Sequence, residues 1–71
     1  MNLTVNGKPA AIEGKETLSL TELLAVLKVS QPDYVTVELN GAILEQREDF
    51  PTIAVRDGDT VEFLYFMGGG R

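Results

Sequence analysis

The chain has 71 residues and a net charge of −5, and it contains no cysteine and no histidine. A chain of this length makes one small domain, without disulfides and without the commonest metal ligand and general base. Its acidity argues against nucleic acid, its apolar stretches are too short to span a bilayer, and its start does not resemble a signal peptide, so we expect a soluble cytoplasmic domain.

The N-terminal segment predicts a β-hairpin. Leu3, Thr4 and Val5 alternate between apolar and polar, as a half-buried strand does. Asn6-Gly7 is a strong hairpin signal, because both residues accept a positive φ. Residues 9–13 form the returning strand, with Ala11 or Ile12 pointing inward.

A helix follows over residues 20–29. Ser19 is a natural N-cap, and Glu22 completes a capping box three residues later. One apolar stripe has helical spacing: Leu20, Leu23, Leu24 and Leu27. Lys28 suits the negative end of the helix dipole, and Pro32 prevents continuation.

The second half begins with a strand over residues 34–39. Asn40-Gly41 repeats the hairpin signal and returns the chain through residues 42–44. The next stretch is polar apart from Phe50, which we expect to fill the core from a short turn.

Ile53 and Val55 form a further short element, and the final strand runs over residues 60–66. The segment Asp57-Gly58-Asp59 between them favours a tight turn over a calcium site, because two carboxylates without further spaced ligands are too few. One helix laid across a mixed sheet predicts an α+β domain.

The chain then ends in Met67 and the segment Gly68-Gly69-Gly70-Arg71. We place the folded domain at residues 1–67 and a flexible tail at residues 68–71, since glycine is costly to order and tolerates nearly all backbone angles. Extended, Met67 to Gly70 spans roughly 13 Å at about 3.3 Å per residue, so the tail can thread a narrow channel. The alternative is an inert, loose end.

The surface beside the tail favours a partner. Alternation along the last strand leaves Leu64 and Phe66 partly on the open face of the sheet, and with Met67 they form the predicted docking patch. The alternatives are that the sheet is covered there, that twist turns the strand end into the core, or that Tyr65 and Met67 make the contacts. Five carboxylates are candidates for contact with a basic partner, or simply solvated charges: Glu38, Glu45, Glu48, Asp49 and Glu62. For Arg47 we expect a local ion pair.

These pieces together resemble the β-grasp sulfur carriers, and most closely the ThiS family of thiamin biosynthesis. The resemblance covers the whole chain. It is carried by Val5-Asn6-Gly7, Leu18-Ser19-Leu20-Thr21-Glu22-Leu23-Leu24, Val37-Glu38-Leu39-Asn40-Gly41, Arg47-Glu48-Asp49-Phe50, Asp57-Gly58-Asp59 and Gly69-Gly70. It implies a ubiquitin-like β-grasp fold, with a mixed sheet of four to five strands packed on one helix.

The resemblance also implies the chemistry. The chain would be a protein co-substrate with no catalytic residue, metal or cofactor of its own. An adenylating (E1-like, ThiF-type) enzyme, using ATP and Mg²⁺, would activate the carboxylate of Gly70, with Gly68 and Gly69 threading its active site. A persulfide donor would convert the adenylate to a thiocarboxylate, and a thiazole synthase (ThiG-type) would accept the sulfur.

Arg71 departs from the family's Gly-Gly ending. A peptidase removes it before use, it is an artefact of expression, or the reactive end is displaced. Three other functions stay open. A thiocarboxylate carrier could serve molybdopterin, cysteine or methionine synthesis, a β-grasp interaction module could carry an inert tail, and a ubiquitin-like modifier could be joined to lysines.

Overall fold

A computed structural model describes residues 1–65 of the chain. The elements, in chain order, are β1 (Asn2–Val5), β2 (Lys8–Ala11), β3 (Thr17–Ser19), α1 (Leu20–Val26), β4 (Thr36–Leu39), β5 (Ala42–Leu44), a 3₁₀ helix (Arg47–Thr52), β6 (Ala54–Arg56) and β7 (Thr60–Leu64). Five strands form one sheet in the order β2-β1-β7-β4-β5, and β3 pairs with β6 in a separate ribbon. Among the strand pairs within residues 1–65, that of β1 with β7 is the one parallel pair, so the predicted mixed sheet is confirmed.

Both predicted hairpins form around their Asn-Gly pairs. Asn6 and Gly7 have φ values of 51° and 80°, and Asn40 and Gly41 have 51° and 88°. These are the two positive φ angles that a type I′ turn requires, and asparagine and glycine supply them at low cost. The returning strand of the first hairpin starts and ends earlier than predicted, at Lys8–Ala11, and Ile12 beyond it is the buried residue.

Helix α1 begins as predicted and ends three residues early. Ser19 and Glu22 form the capping box in both directions. At the other end Lys28 adopts φ 54°, its N–H donates to the Ala25 carbonyl at 3.1 Å, and the Val29 N–H donates to the Leu24 carbonyl at 3.0 Å. These two bonds are a Schellman motif, so a left-handed lysine, and not Pro32, terminates the helix.

The core lies between α1 and one face of the five-stranded sheet. Its buried members are Leu3, Ile12, Leu18, Leu20, Leu23, Leu24, Val35, Val37, Phe50, Val55, Val61 and Phe63. Three of the four stripe leucines are buried, while Leu27 is half-buried. Phe50 fills the core from the 3₁₀ helix, as expected.

Two strand boundaries and one strand pairing in the rest of the chain differ from the sequence prediction. The third predicted strand starts at Thr36 rather than at residue 34, because the N–H groups of Tyr34 and Val35 both donate to the Gln31 carbonyl in a turn. Strand β7 ends at Leu64 instead of residue 66. The β3–β6 ribbon was not predicted as a pair, although its centre aligns Leu18 with Val55, both buried.

Within residues 1–65, no helix has the length and apolar character needed to cross a membrane.

Candidate functional site

Most of the predicted site lies outside the described residues. Phe66, Met67, Gly68, Gly69, Gly70 and Arg71 all follow residue 65, as does the predicted domain boundary at residue 67. Their roles in docking, threading, adenylation and processing therefore stay predictions. The described part of the site is the strand that leads to them, β7, together with its neighbours.

Strand β7 is the middle strand of the sheet and is paired along both edges. Antiparallel β4 runs beside it from Leu39↔Val61 to Thr36↔Leu64. Parallel β1 pairs with it at Thr4↔Thr60 and Val5↔Val61. A strand held on both sides is a stable base for the segment that continues from it.

Asn6 extends the β1 edge past the point where β1 turns away. Its backbone N–H donates to the Val61 carbonyl at 3.0 Å, and its Oδ1 accepts the N–H of Phe63 at 2.8 Å. The side chain thus replaces the next residue of a parallel strand. From the sequence, only a turn was predicted at Asn6, because nothing local to Asn-Gly indicates a partner 57 residues away.

The start of β7 is fixed by the other Asn-Gly turn. Asn40 Oδ1 accepts the Thr60 N–H at 2.8 Å, and its Nδ2 donates to Asp59 Oδ1 at 3.1 Å. Asp59 Oδ2 accepts the Arg56 N–H at 2.8 Å, and Asp57 Oδ1 accepts the Asn2 N–H at 2.6 Å. Both aspartates therefore accept backbone N–H groups: Asp59 closes the predicted turn, and Asp57 joins the turn to the start of β1.

In residues 1–65 no three acidic or histidine side chains come together as metal ligands.

At the end of β7, the Tyr65 hydroxyl donates to the carbonyl of Ser30 at 2.6 Å. Tyr65 is the last described residue, and its side chain is 45% exposed. Ser30 lies in the loop between α1 and β4, residues 27–35, which we call the α1–β4 loop. The residue that follows β7 is thereby tied to the loop at the end of α1.

Arg47 holds the same loop from the 3₁₀ helix. Its guanidinium donates to the carbonyl of Val35 at 2.8 Å and to the carbonyl of Pro32, and it lies 5.2 Å from the centre of the Phe50 ring. The local ion pair predicted for Arg47 was wrong, because within residues 1–65 the guanidinium contacts two backbone carbonyls and an aromatic ring instead of a carboxylate. Arg47 thus links the 3₁₀ helix to the α1–β4 loop.

The open face of the sheet carries two glutamates in register. Glu38 of β4 is directly opposite Glu62 of β7, and Ile43 of β5 lies on the other side of Glu38. One step toward the tail, Thr36 is opposite Leu64, which is half-buried. Ile43 is 52% exposed. We call these four residues, Glu38, Ile43, Glu62 and Leu64, the acidic face.

The acidic face has a negative and apolar character. Like charges directly opposite in a sheet repel, since their Cβ atoms lie about 5 Å apart. The cross-strand neighbours of the two glutamates supply no positive charge. The other predicted acidic contacts, Glu45, Glu48 and Asp49, are exposed but lie outside this face, after β5 and on the 3₁₀ helix.

A surface groove of about 490 Å³ lies between α1, the α1–β4 loop and the 3₁₀ helix. Its lining includes Leu24, Lys28, Pro32, Arg47 and Phe50, and none of the predicted site residues within 1–65. The groove is therefore separate from the acidic face and from the end of β7.

Two solved structures are similar to this chain. A crystal structure of a thiamine biosynthesis protein (ThiS) from Geobacter metallireducens is 67% identical, with a TM-score of 0.92, and the match covers 99% of this chain and 100% of that one. An NMR solution structure of a thiamine biosynthesis protein from Geobacter metallireducens is 66% identical, with a TM-score of 0.77, covering 100% of this chain and 90% of that one. None of the curated proteins compared with the chain matches it significantly.

The family comparison spans nearly the whole sequence. The model of the ThiS family matches residues 3–70, from the first strand through the Gly69-Gly70 pair. The chain belongs to the ThiS family of β-grasp sulfur carriers.

Proposed function

We propose that this chain carries sulfur for thiamin biosynthesis as a thiocarboxylate on Gly70. The observation that carries the proposal is the family match over residues 3–70, which includes the Gly69-Gly70 pair and ends just before Arg71. The fold supports it, because the central strand ends only three residues before the glycine segment in the sequence.

The proposed chemistry begins with an unreactive group. An α-carboxylate with an ordinary pKa of about 3.3–3.7 is ionised at neutral pH and resists attack by a sulfur nucleophile. A partner enzyme with ATP and Mg²⁺ joins the carboxylate to AMP and releases pyrophosphate. A persulfide then displaces AMP, and reduction of the resulting acyl disulfide by a thiol frees the thiocarboxylate.

The partners supply the catalysis in this scheme. The whole sequence has no cysteine to carry a persulfide and no histidine to act as a general base. We therefore assign adenylation to an E1-like, ThiF-type enzyme and sulfur acceptance to a ThiG-type thiazole synthase. The chain itself is the co-substrate.

We place the docking surface on the acidic face and on Phe66 and Met67 beyond it. Leu64 and Ile43 offer apolar contact area, while Glu38 and Glu62 offer two carboxylates to one cationic side chain. A lysine or arginine of the partner placed between them would remove their repulsion, which favours a basic partner surface.

Arg71 has to be removed for Gly70 to react. In the sequence Gly70 is followed by Arg71, so its carboxyl group is in a peptide bond and is not free to be adenylated. We propose that a peptidase removes this residue. The acceptor protein then distinguishes thiamin synthesis from a molybdopterin, cysteine or methionine route.

The test compares chains 1–71 and 1–70 with a ThiF-type enzyme, ATP, Mg²⁺ and a persulfide donor. Intact-mass spectrometry should show one oxygen-to-sulfur exchange on the 1–70 chain and none on the 1–71 chain. Gly70→Ala in the 1–70 chain should fold normally and fail to be adenylated, because its methyl group obstructs the channel that glycine enters. A 1–70 chain that stays unmodified would refute the proposal.

A second measurement addresses the native state of the end. Carrier recovered untagged from its host should lack Arg71 and carry sulfur in part of the population. A full-length, unmodified chain after incubation with host extract and ATP would favour a binding module instead.

A further inference from the structure

The α1–β4 loop is held from two sides by side chains distant in the sequence. The Tyr65 hydroxyl donates to the Ser30 carbonyl at 2.6 Å. Arg47, on the 3₁₀ helix, donates to the carbonyl of Val35 at the end of the loop and to the carbonyl of Pro32. Three loop carbonyls thus have partners outside the loop, although the loop contains no regular secondary structure.

The loop is also fixed internally. Lys28 and Gln31 adopt φ values of 54° and 49°, a conformation that costs free energy for a residue with a side chain. The Gln31 carbonyl accepts the N–H groups of Tyr34 and Val35 at 2.9 and 3.2 Å. Pro32 restricts the backbone further. Tyr65 is therefore bound to a well-defined acceptor.

Tyr65 is the junction between β7 and residues 66–71. Val61 and Phe63 of β7 are buried on the core side of the sheet, and continuing the alternation by one residue predicts the same side for Tyr65, in agreement with its bond to Ser30. Strand pairing ends one residue earlier, at Thr36↔Leu64. Past that pair, the hydroxyl bond to Ser30 is what holds the chain within the described residues.

We propose that Tyr65 is a positioning residue, which through its bond to Ser30 fixes the point and direction in which the C-terminal segment leaves the domain toward the partner's active site. This inference rests on the proposed function. Ordering a glycine-rich segment costs conformational entropy for every residue that has to be fixed on binding. A junction that is already fixed in the free carrier reduces that cost and so strengthens productive binding.

The experiment removes one hydroxyl. Tyr65→Phe keeps the ring and deletes the donor, and Tyr34→Phe is the matched control because Tyr34 is nearby in the α1–β4 loop and 78% exposed. Both variants and the wild type are compared in steady-state adenylation by a ThiF-type enzyme, using whichever form, 1–71 or 1–70, the wild type shows to be the substrate. Thermal unfolding confirms that all three are folded at the assay temperature.

We expect Tyr65→Phe to raise the KM for the carrier between about twofold and tenfold, the effect of one ordinary hydrogen bond, with kcat unchanged. Pre-organisation contributes equally to the bound ground state and the transition state, so its loss appears in KM alone. Tyr34→Phe should behave as the wild type. Equal KM values for the two variants, or a loss confined to kcat, would overturn the positioning role.

A second readout needs no enzyme. The ¹⁵N relaxation of the backbone amide of residue 65 in the free carrier should give a lower order parameter in Tyr65→Phe and an unchanged one in Tyr34→Phe. An unchanged order parameter in Tyr65→Phe would also overturn the inference. Failure of the proposed function would give a different result, because the wild-type carrier itself would not be adenylated. In that case both the proposed function and the positioning role of Tyr65 would be rejected.

Discussion

The side-chain oxygen of Asn6 accepts the backbone N–H of Phe63 at 2.8 Å, across 57 residues of sequence. One residue therefore makes the first hairpin turn, with φ 51°, and continues the pairing of the last strand where β1 has turned away. The turn and the central strand are coupled through this bond. A change at Asn6 should affect both.

Asn6→Gly and Asn6→Ala separate the two roles of Asn6. Glycine keeps the positive φ but loses the acceptor, so we expect a loss of about 1 kcal/mol in the free energy of unfolding. Alanine also has to adopt the left-handed conformation, which adds about 1–2 kcal/mol. Urea unfolding measures both, and amide exchange at Phe63 should accelerate in each variant. Equal stability of all three chains would show that the bond contributes nothing.

Lys28→Gly should stabilise the domain. Lysine terminates α1 in a left-handed conformation that glycine adopts at low cost, and the gain is partly offset by the greater freedom of glycine in the unfolded chain. We expect a net increase of about 0.5–1 kcal/mol in the free energy of unfolding. Lys28→Ala is the control, since it removes the same charge without relieving the backbone. A similar gain in both variants would trace the effect to charge.

Glu22 makes the helix cap sensitive to acid. Hydrogen bonds from the backbone N–H of Ser19 and then from its hydroxyl lower the pKa of Glu22. A carboxyl with a lowered folded-state pKa stabilises the fold above its unfolded pKa and loses that contribution as the pH falls through the folded value. Glu22→Gln should therefore be less stable than the wild type at pH 7, and the difference should shrink below about pH 4.

Urea unfolding at both pH values gives the comparison, with Glu13→Gln as a control of equal charge change at an exposed position. A difference between wild type and Glu22→Gln that is independent of pH would rule out the charged form as the cause.

Glu62→Gln should have opposite effects on folding and on binding. Removing one of two facing carboxylates relieves repulsion with Glu38, so the free chain should gain up to about 1 kcal/mol in stability. Docking to a basic partner should weaken, mainly at low salt, because a complementary charge is lost. Isothermal titration at two salt concentrations measures the binding. Glu45→Gln, outside the acidic face, should leave the affinity for the partner unchanged. An equal loss of affinity in Glu62→Gln and Glu45→Gln would show that net charge, and not the acidic face, is responsible.

The helix start, the two hairpins and the core were predictable because their signals are local. A capping box, an Asn-Gly pair and an apolar stripe each specify a conformation within a few residues. The β3–β6 ribbon has only three residues in each strand, too few for a detectable alternation. The end of α1 was mispredicted because a lysine takes the position that glycine usually occupies.

The contacts that support the candidate site were not predictable for a different reason. The bonds from Asn6 to Phe63, from Tyr65 to Ser30 and from Arg47 to Pro32 join residues that the fold alone brings together. In the sequence, the asparagine, tyrosine and arginine side chains cannot be distinguished from ordinary surface residues, so their long-range partners could not be predicted. The chemical role of the glycine segment, by contrast, was indicated by the family resemblance and not by geometry.

The parallel pairing of the first strand with the last also determines when the sheet can be completed during synthesis. Hairpins can form early in synthesis, but the sheet lacks its middle until β7 has been made, and closing so long a loop is slow. The glycine segment begins only three residues after β7, the strand that completes the sheet. Under the proposed function, a partner that recognises the folded surface would bind only chains synthesised past β7, because a chain that stops before this strand lacks both the surface and Gly70.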